Sequence, residues 1–226
     1  DFFGKPAYAE AAQAYLVEGI DCNEDGEYAE KSAGGYNMVN NNAMITLGVY
    51  TGEESYFDHV ERNLWMMLTY MEPDGTILTS NSTRQDNGKR VYPGGYYWEY
   101  LFLGKRRGIP EFVAFAKHIF DLTEANGLPA PDCLLNYMNH AELIDFESDA
   151  VWKEQDYRKL YEESGIARIK RGDFTYTLMK GKSNFLYFSN RSIDVALKIG
   201  GCVCEHRAFV PETLTETEDG FELTQV

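Results

Sequence analysis

Residues 166–178 read IARIKRGDFTYTL, and the turn RGD separates two runs in which apolar side chains recur with a period near two. This period is typical of β-strands, because successive side chains point to opposite faces of a sheet. Similar runs occupy residues 185–188, 195–199 and 221–223. Short strands separated by turn residues, at roughly ten-residue spacing, predict the start of an antiparallel β-sandwich over residues 156–226.

Before residue 156 the apolar residues recur at helical spacing instead. The pattern predicts α-helices over residues 6–20, 36–50, 56–71, 94–106, 111–125 and 131–146, and a short extended or hairpin excursion over 76–79. Most connections are short, which favours antiparallel helical hairpins. We therefore expect a multidomain α and β chain, with a helical domain over residues 1–155 and a β domain over 156–226.

The composition narrows the class of protein. With 226 residues, of which 44% are hydrophobic and 14% aromatic, the chain can form a packed core. The 21 basic and 36 acidic residues give a formal charge of −15. That charge argues against a nucleic-acid partner, because phosphate binding needs clustered Lys and Arg. No run approaches the ~20 apolar residues of a membrane helix, so no membrane partner is expected, and the oligomeric state stays open.

The four cysteines, Cys22, Cys133, Cys202 and Cys204, lack the spacing of a zinc site, and free thiols are expected. Free thiols slightly favour a reducing compartment, and hence the cytoplasm over the periplasm or secretion. The sequence begins without Met or a basic segment, so we expect a piece of a longer protein whose signal peptide would not be visible. No metal or cofactor is expected.

The densest polar segment covers residues 25–42, DGEYAEKSAGGYNMVNNN, and leads into a helix. Asn37 and Asn41 share one helix face by their i, i+4 spacing. Amide donors at the positive end of a helix suit the carboxylate of an acidic sugar. The alternative is that the asparagines cap the helix or bond to the local backbone.

A second polar segment, residues 80–92, reads SNSTRQDNGKRVY. Arg84 can bind a carboxylate through two hydrogen bonds, and Gln85 and Asp86 can bond to hydroxyl groups. The alternative is an exposed loop in which Arg84 pairs with Asp86. Tyr92 opens the aromatic run YPGGYYWEY over residues 92–100, whose rings either pack in the core or stack on sugars.

In combination, these segments resemble the heparinase II/III-like family, in an uncharacterised bacterial branch. The resemblance rests on residues 25–37, on PDG at 73–75 followed by STRQD at 82–86, and on ESGIARI at 163–169 with GDFTYTL at 172–178. It implies a polysaccharide lyase, with a partial (α/α) toroid of helical hairpins followed by the start of a β-sandwich. Such enzymes cleave uronic-acid-containing glycans by β-elimination, and the elimination step requires no metal.

The resemblance also implies roles for individual residues. Asn37 falls where the family often has a carboxylate-neutralising His or Asn, and Tyr92 falls where a tyrosine is the base and acid. The residues expected to bind the oligo- or polysaccharide substrate are Glu30, Tyr36, Asn41, Arg84, Gln85 and Asp86. Because Asn37 is not His, His140 or His206 is a candidate for a second proton-handling group, although each histidine is individually more typical of a structural role.

Two other functions stay open from the residues alone. Glu30 and Asp86 are a candidate carboxylate pair for a glycoside hydrolase on the same toroid. A glycan-binding module without catalysis is the third alternative. The charge of −15 disfavours a heavily sulfated substrate relative to a glycan with sparse uronates, because a negative field repels a polyanion.

Overall fold

The computed structural model describes residues 4–144, 146–203 and 206–226, with the side chains of 202, 203 and 206 outside that description. Six α-helices precede the strands in this part of the chain: α1 Pro6–Leu16, α2 Tyr36–Thr51, α3 Ser55–Thr69, α4 Tyr97–Arg107, α5 Pro110–Ala125 and α6 Leu134–Asn139. Two 3₁₀ turns, Pro93–Tyr96 and Ala141–Leu143, accompany them. The predicted order of helices followed by antiparallel strands is confirmed.

Nine strands follow among the residues that the structure describes. They are β1 Tyr157–Tyr161, β2 Ile166–Arg171, β3 Phe174–Met179, β4 Asn184–Ser189, β5 Asp194–Lys198, β6 Gly200–Val203, β7 His206–Ala208, β8 Thr213–Glu216 and β9 Phe221–Thr224. The first five form one antiparallel sheet in the order β1-β2-β3-β4-β5, while β6-β7 and β8-β9 form separate hairpins. The alternating pattern did not predict β1, β6, β7 or β8.

Three helix predictions were too long. The chain leaves α1 before Gly19, whose φ of 87° lies in the left-handed region that favours glycine. The predicted helix 94–106 begins as the 3₁₀ turn Pro93–Tyr96, which contains a proline and two glycines, and becomes α-helical only at Tyr97. The predicted helix 131–146 is only α6 and a 3₁₀ turn, since His140 between them has an extended φ of −136°.

The core lies mainly among α3, α4 and α5. Phe57, Val60 and Leu64 on α3 are buried, as are Phe112 and Phe115 on α5. These side chains recur every three or four residues, which places them on one face of each helix. Among all the described residues, no helix combines the length and the apolar character that crossing a bilayer requires.

Arg168 on β2 joins the sheet to the end of α3. Its side chain is fully buried and donates hydrogen bonds to the carbonyl oxygens of Thr69 (2.7 Å) and Met71 (3.1 Å). Its guanidinium also pairs with Glu72 at 3.0 Å. The last carbonyls of a helix have no intrahelical partner, so Arg168 both completes α3 and fixes the sheet against it.

A second contact joins the loop before α2 to the turn between β1 and β2. Asn23 Nδ2 donates to Ser164 Oγ at 3.0 Å, and the Ser164 backbone N–H donates to Asp25 Oδ2 at 2.9 Å. Lys31 Nζ donates to the Ser164 carbonyl at 3.1 Å. Two of the segments that carry the family resemblance, 25–37 and 163–169, therefore contact each other across the helix–sheet boundary.

Candidate active site

An exposed group forms where α2 begins. The guanidinium of Arg84 lies 4.8 Å from the ring centroid of Tyr36, and Arg84 Nη2 is 3.5 Å from the phenol oxygen. Hydrogen bonds from Gln85 and Arg84 lower the pKa of Tyr36. The Glu30 carbonyl accepts hydrogen bonds from the backbone and hydroxyl of Thr83, which brings Glu30 to the same loop. Four of the predicted substrate-binding residues are thus neighbours.

Asp86 points inward from this group. One carboxylate oxygen accepts hydrogen bonds from Ser32 Oγ (2.9 Å) and Ser82 Oγ (2.5 Å), and the other accepts one from the Gly34 N–H (2.8 Å). The side chain is 7% exposed. Both oxygens are used to hold the two loops together, so the predicted role of binding sugar hydroxyls gains no support from this geometry.

Asn37 and Asn41 lie on the buried face of α2. The Asn37 side chain is 2% exposed, its Nδ2 lies 3.8 Å from Met67 Sδ, and its Oδ1 has no hydrogen-bond partner among the described residues. Asn41 accepts a hydrogen bond from Tyr28 and donates to Asn63 and Glu99, the last two at 2.8 Å. The shared face is confirmed, but it faces protein groups. Sequence spacing could not reveal the buried partner Glu99, because it lies 58 residues further along the chain.

Tyr92 lies elsewhere, on the wall of a cleft of about 1220 Å³ between the helices and the sheet. Asn37, Tyr36 and Arg84 are not among the described residues that line this cleft. The Tyr92 hydroxyl donates to Asn126 Oδ1 at 3.3 Å. Tyr92 and then Asp74, which pairs with Arg90 at 2.8 Å, raise the pKa of Arg90. Arg90 therefore lines the same cleft as the predicted base, whereas Arg84 does not.

Aromatic side chains form another part of the cleft wall. Trp65 packs on Phe112 and Trp152 packs on Phe115, each with ring centroids 4.7 Å apart. Burial lowers the pKa of His118, which stacks on Trp152 at 6.2 Å. No pattern in the sequence indicated that Trp65 or Trp152 would line a cleft. The helical spacing of Phe112 and Phe115 predicted the packed face of α5 but not the rings that lie across it.

The two remaining histidine candidates are apart from these groups. His140 lies against Trp98 and Phe102, with ring centroids at 5.5 and 5.0 Å, and pairs with Glu142 at 3.4 Å. These contacts agree with a structural role. The side chain of His206 lies outside the described residues.

The other predicted ligands and thiols can be located in part. Cys22 and Cys133 are free, as predicted, and burial raises the pKa of Cys22 to about 11. The side chain of Cys202 and all of Cys204 lie outside the described residues. Within the ranges that the structure describes, no three His, Cys, Asp or Glu side chains form a group that could hold a metal ion.

Comparison with known proteins adds no relative to this description. No family model, no curated protein and no solved structure matches the chain.

Proposed function

We propose that this chain belongs to a polysaccharide lyase that cleaves uronic-acid-containing glycans by β-elimination, with Tyr92 as the proton-transferring group. The observation that carries the proposal is a large cleft whose wall holds Tyr92, Arg90 and several aromatic rings. A large pocket with a few converging polar groups is where ligands generally bind. The resemblance to the heparinase II/III-like family supplies the reaction class.

The elimination requires a cation and a proton-transferring group. A cation that neutralises the uronate carboxylate makes the C5 proton more acidic; the phenolate of Tyr92 then takes this proton. The C4–O bond breaks as the C4=C5 double bond forms, and the phenol returns its proton to the leaving oxygen. Arg90 lines the same cleft and is the cation available for the carboxylate, and Asn126 orients the Tyr92 hydroxyl by its hydrogen bond.

The toroid and the sandwich are part of the same proposal. Two features of the helices support a toroid of hairpins: residues 52–54 join α2 to α3, and residues 108–109 join α4 to α5. On the sheet, the face opposite Arg168 carries exposed apolar side chains, including Phe174, Val195 and Leu197. An apolar face of an antiparallel sheet is what the second sheet of a sandwich covers.

The exposed group at α2 is the second candidate for the proton-transferring site. Among the described tyrosines with a shifted pKa, only Tyr36 has it lowered, whereas burial raises the pKa of residues such as Tyr70 and Tyr100. Tyr36 is therefore an alternative base, with Arg84 as its cation. The hydrolase alternative is weaker, because Asp86 uses both carboxylate oxygens within the protein.

Paired phenylalanine substitutions test the proposal and separate its two candidates. Tyr92→Phe in the full-length protein is expected to lower turnover about 10²- to 10⁴-fold, the usual contribution of a general acid–base group. Tyr36→Phe tests the second candidate and should lower turnover far less than Tyr92→Phe if Tyr92 is the proton-transferring group. The measurement is the ultraviolet absorbance of the 4,5-unsaturated product from uronate polymers.

The remaining outcomes are decisive as well. A loss confined to Tyr36→Phe would move the reaction to the Tyr36–Arg84 pair. Saturated products would indicate a hydrolase. If neither product forms from a panel of uronate polymers while a glycan still binds, the lyase proposal is wrong and the protein is a binding module.

A further inference from the structure

One face of α5, continued by Asn126 just after the helix, lines the large cleft. The wall residues from this segment have the spacing of a single helix face: Glu111, Ala114, Phe115, His118, Leu122 and Asn126. An α-helix rises 1.5 Å per residue, so Phe115 and Asn126 are about 16 Å apart along the axis. Tyr92 contacts Asn126, whereas Trp152 contacts Phe115. The Tyr92 end and the tryptophan end are therefore separated by a few sugar lengths.

Trp65 and Trp152 lie at the end of the cleft away from Tyr92, and both pack on α5. Phe112 and Phe115 are buried and lie one turn apart on α5, and each packs against one indole at 4.7 Å. Trp65 remains 41% exposed, and Trp152 is half-buried. Rings that line a cleft, are held from behind and stay accessible can stack on a ligand without rearrangement.

The charge of the cleft points to the chemistry of that ligand. Six basic and six acidic side chains are among its described lining residues, although the chain carries −15. A balanced lining neither attracts a dense polyanion nor excludes a chain with occasional carboxylates. Indoles bind apolar faces while the surrounding polar groups bind hydroxyls, which is the pattern that a pyranose ring presents.

We infer that Trp65 and Trp152 form a distal sugar subsite, which stacks neutral pyranose rings of a glycan whose acidic residue reaches Tyr92. The protein therefore selects chains longer than a disaccharide. This inference rests on the proposed function for the identity of the ligand as a glycan, and it adds which residues recognise the chain and how length enters recognition.

Binding of oligosaccharides of two and six residues tests the inference. The probes are β-1,4-linked glucose oligomers and β-1,4-linked uronate oligomers, titrated into the full-length Tyr92→Phe variant by calorimetry so that no turnover interferes. The hexamer of at least one series should bind about tenfold or more tightly than its dimer. Trp65→Ala and Trp152→Ala should each weaken hexamer binding about 2- to 12-fold, the range for one aromatic contact, and leave dimer binding unchanged.

Two controls address folding and specificity. Trp152→Phe keeps an aromatic ring against Phe115 if the alanine variant is unstable, and it should retain part of the length preference. Phe120→Ala removes a ring that is 46% exposed on α5 but lies outside the cleft, packed near Tyr97, and it should change nothing.

The outcomes also separate this inference from the proposed function. Length-dependent binding that needs both indoles, without unsaturated product in the native protein, supports the subsite and contradicts the lyase. Unsaturated product with dimers and hexamers bound equally, or with both indoles dispensable, contradicts the subsite and leaves the lyase intact. Absence of binding by all four probes contradicts the subsite.

Discussion

Glu99 is the buried partner of asparagine side chains on α2, a role that its place in the aromatic run of residues 92–100 does not indicate. Its carboxyl group is fully buried and accepts hydrogen bonds from the amides of Asn41 (2.8 Å) and Asn42 (2.9 Å). Burial raises the pKa of Glu99 well above its usual range. Asn41, which was predicted to bind an acidic sugar, instead binds an acid of the protein itself.

The raised pKa of Glu99 predicts a pH-dependent stability. The folded state retains a proton that the unfolded chain releases above about pH 4.3, so the free energy of unfolding falls as pH rises from there to the raised native pKa. The slope is at most about 1.4 kcal/mol per pH unit. Urea unfolding between about pH 5 and 8 should show a smaller slope for Glu99→Gln than for the native protein.

The exposed Glu53→Gln is the matched control for this experiment and should leave the slope unchanged. Part of the slope should remain in Glu99→Gln, because burial also raises the pKa of Glu27. Equal slopes for Glu99→Gln and the native protein would show that Glu99 ionises normally in the fold.

The limits of sequence reasoning are clear for these residues. Helical spacing correctly predicted that Asn37 and Asn41 share a face, because periodicity follows from local geometry. The grouping of Tyr36 with Arg84 was also expected. The sequence could not show whether this polar face meets solvent or Glu99, nor which cation lines the same cleft as Tyr92. Both depend on packing between distant segments.

Arg168 shows that a strand can be predicted from sequence while its attachment to a helix cannot. Its strand was predicted from alternation, but a charged residue in a strand indicates neither burial nor a helix end as its partner. The two carbonyls and the carboxylate that surround it belong to residues 69–72, almost 100 positions earlier. The strand could therefore be predicted locally, whereas its attachment to α3 could not.

Replacing Arg168 should weaken the attachment of the sheet to the helices and so lower the free energy of unfolding. Arg168→Met is expected to destabilise the protein by about 3–5 kcal/mol, because the largely buried Glu72 and the carbonyls of Thr69 and Met71 lose their partner. Arg168→Lys should recover only part of this loss, since an ammonium group cannot reproduce the planar fork. Chemical denaturation measures both, and the exposed Arg171→Met on the same strand is the control. A loss for Arg168→Met no larger than that for Arg171→Met would contradict this account.

At the scale of the whole molecule, the charge of −15 repels an acidic glycan, but the balanced charges that line the cleft do not. The long-range field repels such a glycan, while the cleft is lined by equal numbers of basic and acidic side chains. Salt shortens the reach of that field, from about 30 Å at 0.01 M to about 8 Å at 0.15 M. Contacts inside the cleft are screened much less.

The affinity for a uronate oligomer should therefore rise several-fold as ionic strength increases from about 0.01 to 0.15 M. A glucose oligomer of the same length is the control and should bind equally at both concentrations, because it carries no charge to repel. Calorimetric titration of the two hexamers into the Tyr92→Phe variant gives both values. If the uronate instead binds more weakly as salt is added, local cations such as Arg90 outweigh the overall field, and the preference for sparse carboxylates has to be abandoned in favour of a densely charged substrate.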